Sequence, residues 1–182
     1  MGLQALFQPN FVTRLPPYTN PADVPVVNLA SLLHINHISV NLDASDKEAL
    51  ISHMVGMISN HPSVIDAKEV EEAVLAREKM MSTGVGKGLA LPHAKTVAVK
   101  GMIAALVTTA NPVDFGSLDN EPVRIAFLLV GKPDAKSMHV RILSRVSRIM
   151  NQDEVRKKIL NASSPEVLFS ILSEYDDPNS GS

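Results

Sequence analysis

Val123-Arg124-Ile125-Ala126-Phe127-Leu128-Leu129-Val130 is the stretch on which the fold turns. It is apolar and rich in β-branched residues, with one charge near its start. Such a run fits a strand buried on both faces better than one lying on a half-wet sheet. Ile103 to Thr108 is a second run of the same kind, and Val113 to Phe115 adds a short extended piece between the two. Further out, Ile38, Val40 and Leu42 alternate with polar residues and predict another strand. Helical spacing fills the gaps. Asp46 to Asn60 carries Leu50, Ile51, Met54, Val55 and Ile58 on one face, and Ala67 to Met80 follows a capping Asp66. Beyond the buried strand, helices are expected over about 137–150 and 153–160, and a last one starts at Ser164-Pro165-Glu166, an N-cap serine before a first-turn proline. Strands and helices interleaved in this way predict an α/β layered domain with a central sheet.

The ends differ from this middle. Residues 1–25 hold Pro9, Pro16, Pro17, Pro21 and Pro25, which forbid a regular helix or a central strand. They predict an extended arm, with disorder of no function as the plainer alternative. Residues 177–182 form a polar tail. At 182 residues the chain can fill one hydrophobic core and is short for two ordinary domains. The net charge of −2 offers no broad field for nucleic acid or an anionic membrane. The absence of cysteine rules out disulfides, thiolate catalysis and Cys-based zinc sites. No stretch approaches the roughly 20 apolar residues that span a bilayer. Gln4, Gln8, Asn10 and the prolines interrupt any secretory layout. The expectation is a soluble cytoplasmic protein with no direct membrane insertion.

Chemistry concentrates in Thr83-Gly84-Val85-Gly86-Lys87-Gly88-Leu89-Ala90-Leu91-Pro92-His93. Alternating glycines let backbone amides approach an anion, though a flexible connection would have the same composition. The stretch is not a nucleotide P-loop, because Gly88 follows Lys87 and Met81 stands where the first glycine belongs. Nor is it a dinucleotide fingerprint, since Leu89 replaces the third glycine. Leu89, Leu91 and His93 share one face of an extended segment. Pro92 cannot donate to a ladder, so pairing is expected to stop near it and leave His93 at a strand end beside the glycine loop. A neutral imidazole there is a capable nucleophile.

Two residues elsewhere gather around this expectation. Arg77 is in register with Val70, Ala73 and Val74. It is either a snorkelling side chain at the rim or a guanidinium aimed at an anion, whose oxygens a planar fork suits. His139 falls in the first turn of its helix, in register with Ile142, Leu143 and Val146. It is either a satisfied core histidine or part of an anion site at a helix N-terminus. His34, His37, His53 and His61 suggest nothing special, and no pair has metal-ligand spacing. Arg141, Arg145 and Arg148 predict a basic, solvated stripe on the outer face of that helix.

With these residues in view, Arg77-Glu78 together with Thr83 to His93 resembles the active-site signature of the enzyme IIA family that serves fructose, mannitol and nitrogen-regulatory phosphotransferase systems. Val113-Asp114-Phe115 with Asp119, Val123 to Val130, the His139 segment and Leu29-Ala30-Ser31-Leu32-Leu33 are also similar to that family. The likeness covers about 26–176. Family members commonly carry isoleucine or a similar residue at positions 85, 89 and 91, so Val85, Leu89 and Leu91 are mild departures. The proline-rich arm has no counterpart in the pattern.

The resemblance implies one three-layer α/β domain, its central mixed sheet of about five strands flanked by helices on both faces. It implies a phosphotransferase in which His93 accepts a phosphoryl group from the phosphohistidine of the carrier protein HPr, with His139 supporting. Arg77, Thr83, Gly86 and Gly88 are then the expected phosphoryl-binding positions, and no metal or cofactor is called for. Onward partners would be an enzyme IIB cysteine in sugar uptake, or a transporter or kinase in the regulatory branch. The absence of an attached IIB or membrane segment favours the regulatory branch. A purely structural interaction domain is the third possibility, against which His93, His139 and Arg77 argue together.

Overall fold

A computed structural model of the protein describes residues 28–176. The arm at 1–25 and the tail at 177–182 lie outside the described residues. The chain enters through two short 3-10 turns, Ala30–Leu32 and Ile35–His37, then forms β1 (Ile38–Leu42), α1 (Lys47–Ile58) and α2 (Ala67–Met80). Three short strands follow: β2 (Gly84–Gly86), β3 (Leu89–Ala90) and β4 (His93–Lys95). The long strands β5 (Ile103–Val113) and β6 (Val123–Gly131) precede α3 (Lys136–Met150), α4 (Asp153–Leu160) and α5 (Pro165–Asp176).

Helix starts are where the caps put them. Asp46 accepts from the Ala49 amide at 2.8 Å, and Asp66 accepts from those of Lys68 and Glu69 at 2.9 and 3.1 Å. Pro165 opens α5, where its missing N–H has no helical partner to lose.

The sheet runs β1-β5-β6-β3-β2, with β4 also on β6. β1 lies parallel to β5, β5 antiparallel to β6, and β3 and β4 both parallel to β6. The six strands of this mixed sheet therefore occupy five positions, because β3 and β4 share one side of β6. The β6 run is buried on both faces, as its composition predicted. Ile125, Phe127 and Leu129 pack with Ile142 and Val146 of α3, Ile159 of α4 and Leu168 of α5. Ala126, Leu128 and Val130 pack with Leu50 and Met54 of α1 and Val70 of α2. Each large apolar side chain so enclosed contributes about 1.5–3 kcal/mol, which makes β6 the centre of a three-layer α/β/α domain.

Two expectations change. Val113 to Phe115 is not a separate strand. β5 continues past an irregularity after Thr108, Val113 pairs with Val123, and Phe115 is buried in the loop that follows. The arginine stripe is not wholly solvated either. Arg145 lies against the buried Asp176, its Nε 2.5 Å from Oδ1, and Asp176 also accepts from the Leu29 amide. The carboxylate thus ties α3, α5 and the entering chain together. Arg148 is exposed. Among the described residues, no helix is long and apolar enough to cross a membrane.

Candidate functional site

The chain breaks its pairing at Leu91-Pro92 and resumes it at once. His93, Ala94 and Lys95 pair with Leu129, Val130 and Gly131 of β6. His93 therefore begins a strand and does not end one. Pro92 has no N–H to give, but its carbonyl accepts from the Leu129 amide at 3.0 Å, so the ladder crosses the proline on the acceptor side.

The His93 ring is fixed by its own loop. Nδ1 lies 2.8 Å from the Leu91 carbonyl oxygen, which can only accept. Neutral His93 therefore carries its proton on Nδ1 and keeps a lone pair on Nε2. Burial lowers its pKa. The hydrogen bond to Leu91 opposes that shift, the charges of Arg77 and Lys95 add to it, and Glu78 opposes it. The ring is thus neutral, hence nucleophilic, at neutral pH.

His139 lies beside it on the first turn of α3, with ring centroids 5.6 Å apart and planes tilted by 59°. Its side chain is buried, and neither ring nitrogen has a hydrogen-bond partner. Burial, then the charges of His93 and Lys95, pushes its pKa down to about 4. Gly131 lies beside this ring: a Cβ there would collide with Met102 Sδ and stand 3.4 Å from His139 Nδ1. Ala135 caps α3 without a side-chain hydrogen bond, so no side chain claims the first-turn amides.

An open groove of about 380 Å³ runs between α2 and β4, lined by Ala73, Ala76, Arg77, Met80, His93 and Lys95. Arg77 is half-buried, and its Nη1 donates to the Met81 carbonyl at 2.9 Å. That bond holds the guanidinium at the end of α2, on the groove wall. The structure thus brings His93, His139 and Arg77 together.

It does not bring Gly86 and Gly88 to them. These glycines flank Lys87 in a tight hairpin between β2 and β3, with φ of +93°, +56° and +70° at Gly86, Lys87 and Gly88. Asp119 accepts from the Lys87 amide at 2.8 Å, and the Gly88 carbonyl accepts from Ile125. His93 pairs with Leu129, four positions further along β6, or about 13 Å at strand rise. Positive φ at Gly86 and Gly88 is by itself a reason for glycine there. Thr83 lies closer, because its carbonyl accepts from the Leu91 amide at 3.0 Å. Its hydroxyl is spent on Glu78 Oε2 at 2.5 Å.

Lys95 and Glu78 also act on His93. Lys95 was legible, since positions 93 and 95 share a strand face. Glu78 was written next to Arg77, but nothing local signals that a carboxylate at a helix end will be 4% exposed.

The family described as "Phosphoenolpyruvate-dependent sugar phosphotransferase system, EIIA 2" matches residues 31–175. The chain belongs to this family. As an EIIA 2 protein it is 33% identical over 150 residues to the fructose-specific EIIABC component of Bacillus subtilis, covering 82% of this chain and 24% of that one. It thus spans about a quarter of that relative. It is 28% identical to the nitrogen regulatory protein of Pseudomonas aeruginosa, covering 81% of this chain and 96% of the relative. The crystal structure of nitrogen regulatory protein IIA-Ntr from Neisseria meningitidis superposes with a TM-score of 0.75 at 30% identity, covering 79% of this chain and 98% of that chain. IIA mannitol from Escherichia coli shares the fold, with a TM-score of 0.67 at 20% identity, covering 77% of this chain and 98% of that one. The mixed sheet and its flanking helices are therefore those of an EIIA 2 domain.

Proposed function

We propose that the protein is a cytoplasmic phosphocarrier that takes a phosphoryl group from phospho-HPr on Nε2 of His93 and acts in the nitrogen-regulatory branch of the family. The observation that carries this is the Nδ1 contact with Leu91, which leaves Nε2 as the free nucleophile of a neutral ring. In the transfer, the P–N bond of the donor phosphohistidine breaks as the Nε2–P bond forms. The donor nitrogen keeps the electron pair. The transition state is loose and nearly in line, so the protein's part is placement and charge. His139 has two unpartnered nitrogens next to the ring that gains the phosphoryl group, and whichever carries its one proton can donate to the oxygens. Arg77 and Lys95 supply the fixed positive charge. Thr83, Gly86 and Gly88 support the backbone of the segment and are not needed as direct oxygen ligands.

The nitrogen-regulatory assignment draws on the Neisseria and Pseudomonas relatives, which the chain spans almost whole. Phosphorylation of His93 would then switch contacts with a transporter or kinase. A second reading, sugar uptake, is favoured by the fructose-specific relatives, including the EIIA component of Haloferax volcanii at 30% identity over 97% of its length. There the onward acceptor is an enzyme IIB cysteine. One neighbour of like fold is a complex of enzyme IIA mannitol with phosphorylated enzyme IIB mannitol from Escherichia coli.

The test is incubation with phosphoenolpyruvate, enzyme I and HPr, followed by detection of acid-labile phosphate. The expected result is one modified site, absent in His93→Ala. Labelling that survives this substitution overturns the proposal. Adding a fructose-type IIB then separates the branches: discharge of the label to its cysteine selects sugar uptake, and retention selects regulation.

A further inference from the structure

Glu78 stands in the last turn of α2, where the negative end of a helix disfavours an anion, and it is buried. A buried carboxylate is costly unless it is well bonded. Here one oxygen, Oε2, accepts from both the amide and the hydroxyl of Thr83, at 3.0 and 2.5 Å. The other, Oε1, has no hydrogen bond and lies 3.6 Å from Lys47 Nζ. Thr83 is held by two bonds in place, and its carbonyl accepts from the Leu91 amide at 3.0 Å. Leu91 in turn receives the Nδ1 proton of His93 at 2.8 Å. The carboxylate is thus the first member of a chain of contacts that ends on the imidazole.

We propose that Glu78 is a positioning residue for His93, acting through Thr83 and Leu91 to keep the imidazole protonated on Nδ1 with Nε2 free. A helix cap alone would need a hydroxyl or a water at this place. A buried carboxylate gives a stronger acceptor and a fixed negative charge near the ring. That charge raises the pKa of His93 against the burial that lowers it, while Arg77 on α2 and Lys95 on β4 lower it. His139 on α3 is the remaining titratable neighbour. The functional consequence of this placement rests on the proposed phosphoryl transfer, but the placement itself is testable without it.

The experiment follows His93 by 15N-histidine NMR in the full chain, as wild type, Glu78→Gln and Thr83→Val. Wild type is expected to hold neutral His93 in the Nδ1-protonated tautomer. Glu78→Gln removes the charge, so the His93 midpoint falls, and the share of the other tautomer grows. Thr83→Val keeps the carboxylate and loses one donor, so the tautomer shifts while the midpoint holds. Labelling through HPr slows about tenfold in Glu78→Gln as Nε2 loses its alignment. A helix-capping role would lower stability and leave titration and tautomer of the folded protein unchanged. That result in Glu78→Gln overturns the proposal. If Glu78→Gln does not fold, an unchanged tautomer in Thr83→Val overturns it alone. If wild type takes no label, the phosphocarrier proposal fails while the NMR comparison still decides this one.

Discussion

Two groups of imidazoles crowd the same end of the sheet, and their spacings are nearly equal. His93 and His139 have centroids 5.6 Å apart, while His37 lies 5.7 Å from His34 and 5.4 Å from His61. Ala104, whose backbone His37 contacts, pairs with Leu129, and Leu129 pairs with His93. The surroundings separate the two groups. His34 and His61 each spend Nδ1 on a local turn, accepting from Asn36 and Ser63 at 3.2 and 3.1 Å. His37 is buried, and the charges acting on it are those of His61 and His34, of its own kind. His93 has a half-open ring, a groove, and the cations Arg77 and Lys95. Clustered histidines alone do not make a phosphoryl site. A free ring nitrogen, an opening and fixed positive charge beside it do.

The comparison breaks most sharply at the nucleophile. His93→Ala is expected to abolish labelling through HPr, whereas His34→Gln and His61→Gln leave it within about twofold. The next largest effect belongs to the partners of His93. Arg77→Ala and His139→Ala should each slow labelling by about 100- to 1,000-fold, the usual cost of removing one charge-stabilising donor, without eliminating it. Single-turnover rates measure both.

Acid sharpens the contrast further. His139 is held at about 4, below the 6.5 of an unfolded histidine. Between those values the unfolded chain binds more protons than the folded one. The stability this ring contributes is therefore complete above pH 6.5 and is lost as pH falls toward 4, by roughly 1–3 kcal/mol. Urea unfolding at pH 7.5, 6 and 5 should show the decline, and His139→Phe should flatten it. His37, whose pKa is also lowered, contributes in the same direction.

The smallest effects are expected at the hairpin. Gly86→Ala and Gly88→Ala place a side chain at positive φ and should cost about 1 kcal/mol of stability each. The folded variants should be labelled within twofold of wild type, because the hairpin lies far along β6 from His93. A large loss of labelling with normal stability would return the glycines to the site.

Much of this was legible in residue order. The apolar run at Val123 to Val130 announced the central strand, Asp46 and Asp66 announced two helix starts, and helical register put His139 inward. The likeness around Thr83 to His93 then joined distant parts. What stayed hidden depends on pairing between remote residues. The offset between Gly88 and His93 is set by their partners Ile125 and Leu129 on β6. The burial of Glu78 is set by Thr83 and Lys47, and that of Asp176 by Arg145 and Leu29. The gathering of His34, His37 and His61 likewise needs the loop after α1 to fold back on the chain's entry.

Scalar coupling between phosphorus and nitrogen tests the account most directly. The protein, labelled with 15N at histidine, is phosphorylated through phosphoenolpyruvate, enzyme I and HPr, and the 31P–15N coupling is assigned. The account predicts one coupling, to Nε2 of His93, with Nδ1 still protonated. A coupling to Nδ1 of His93, or to any other histidine, would contradict it.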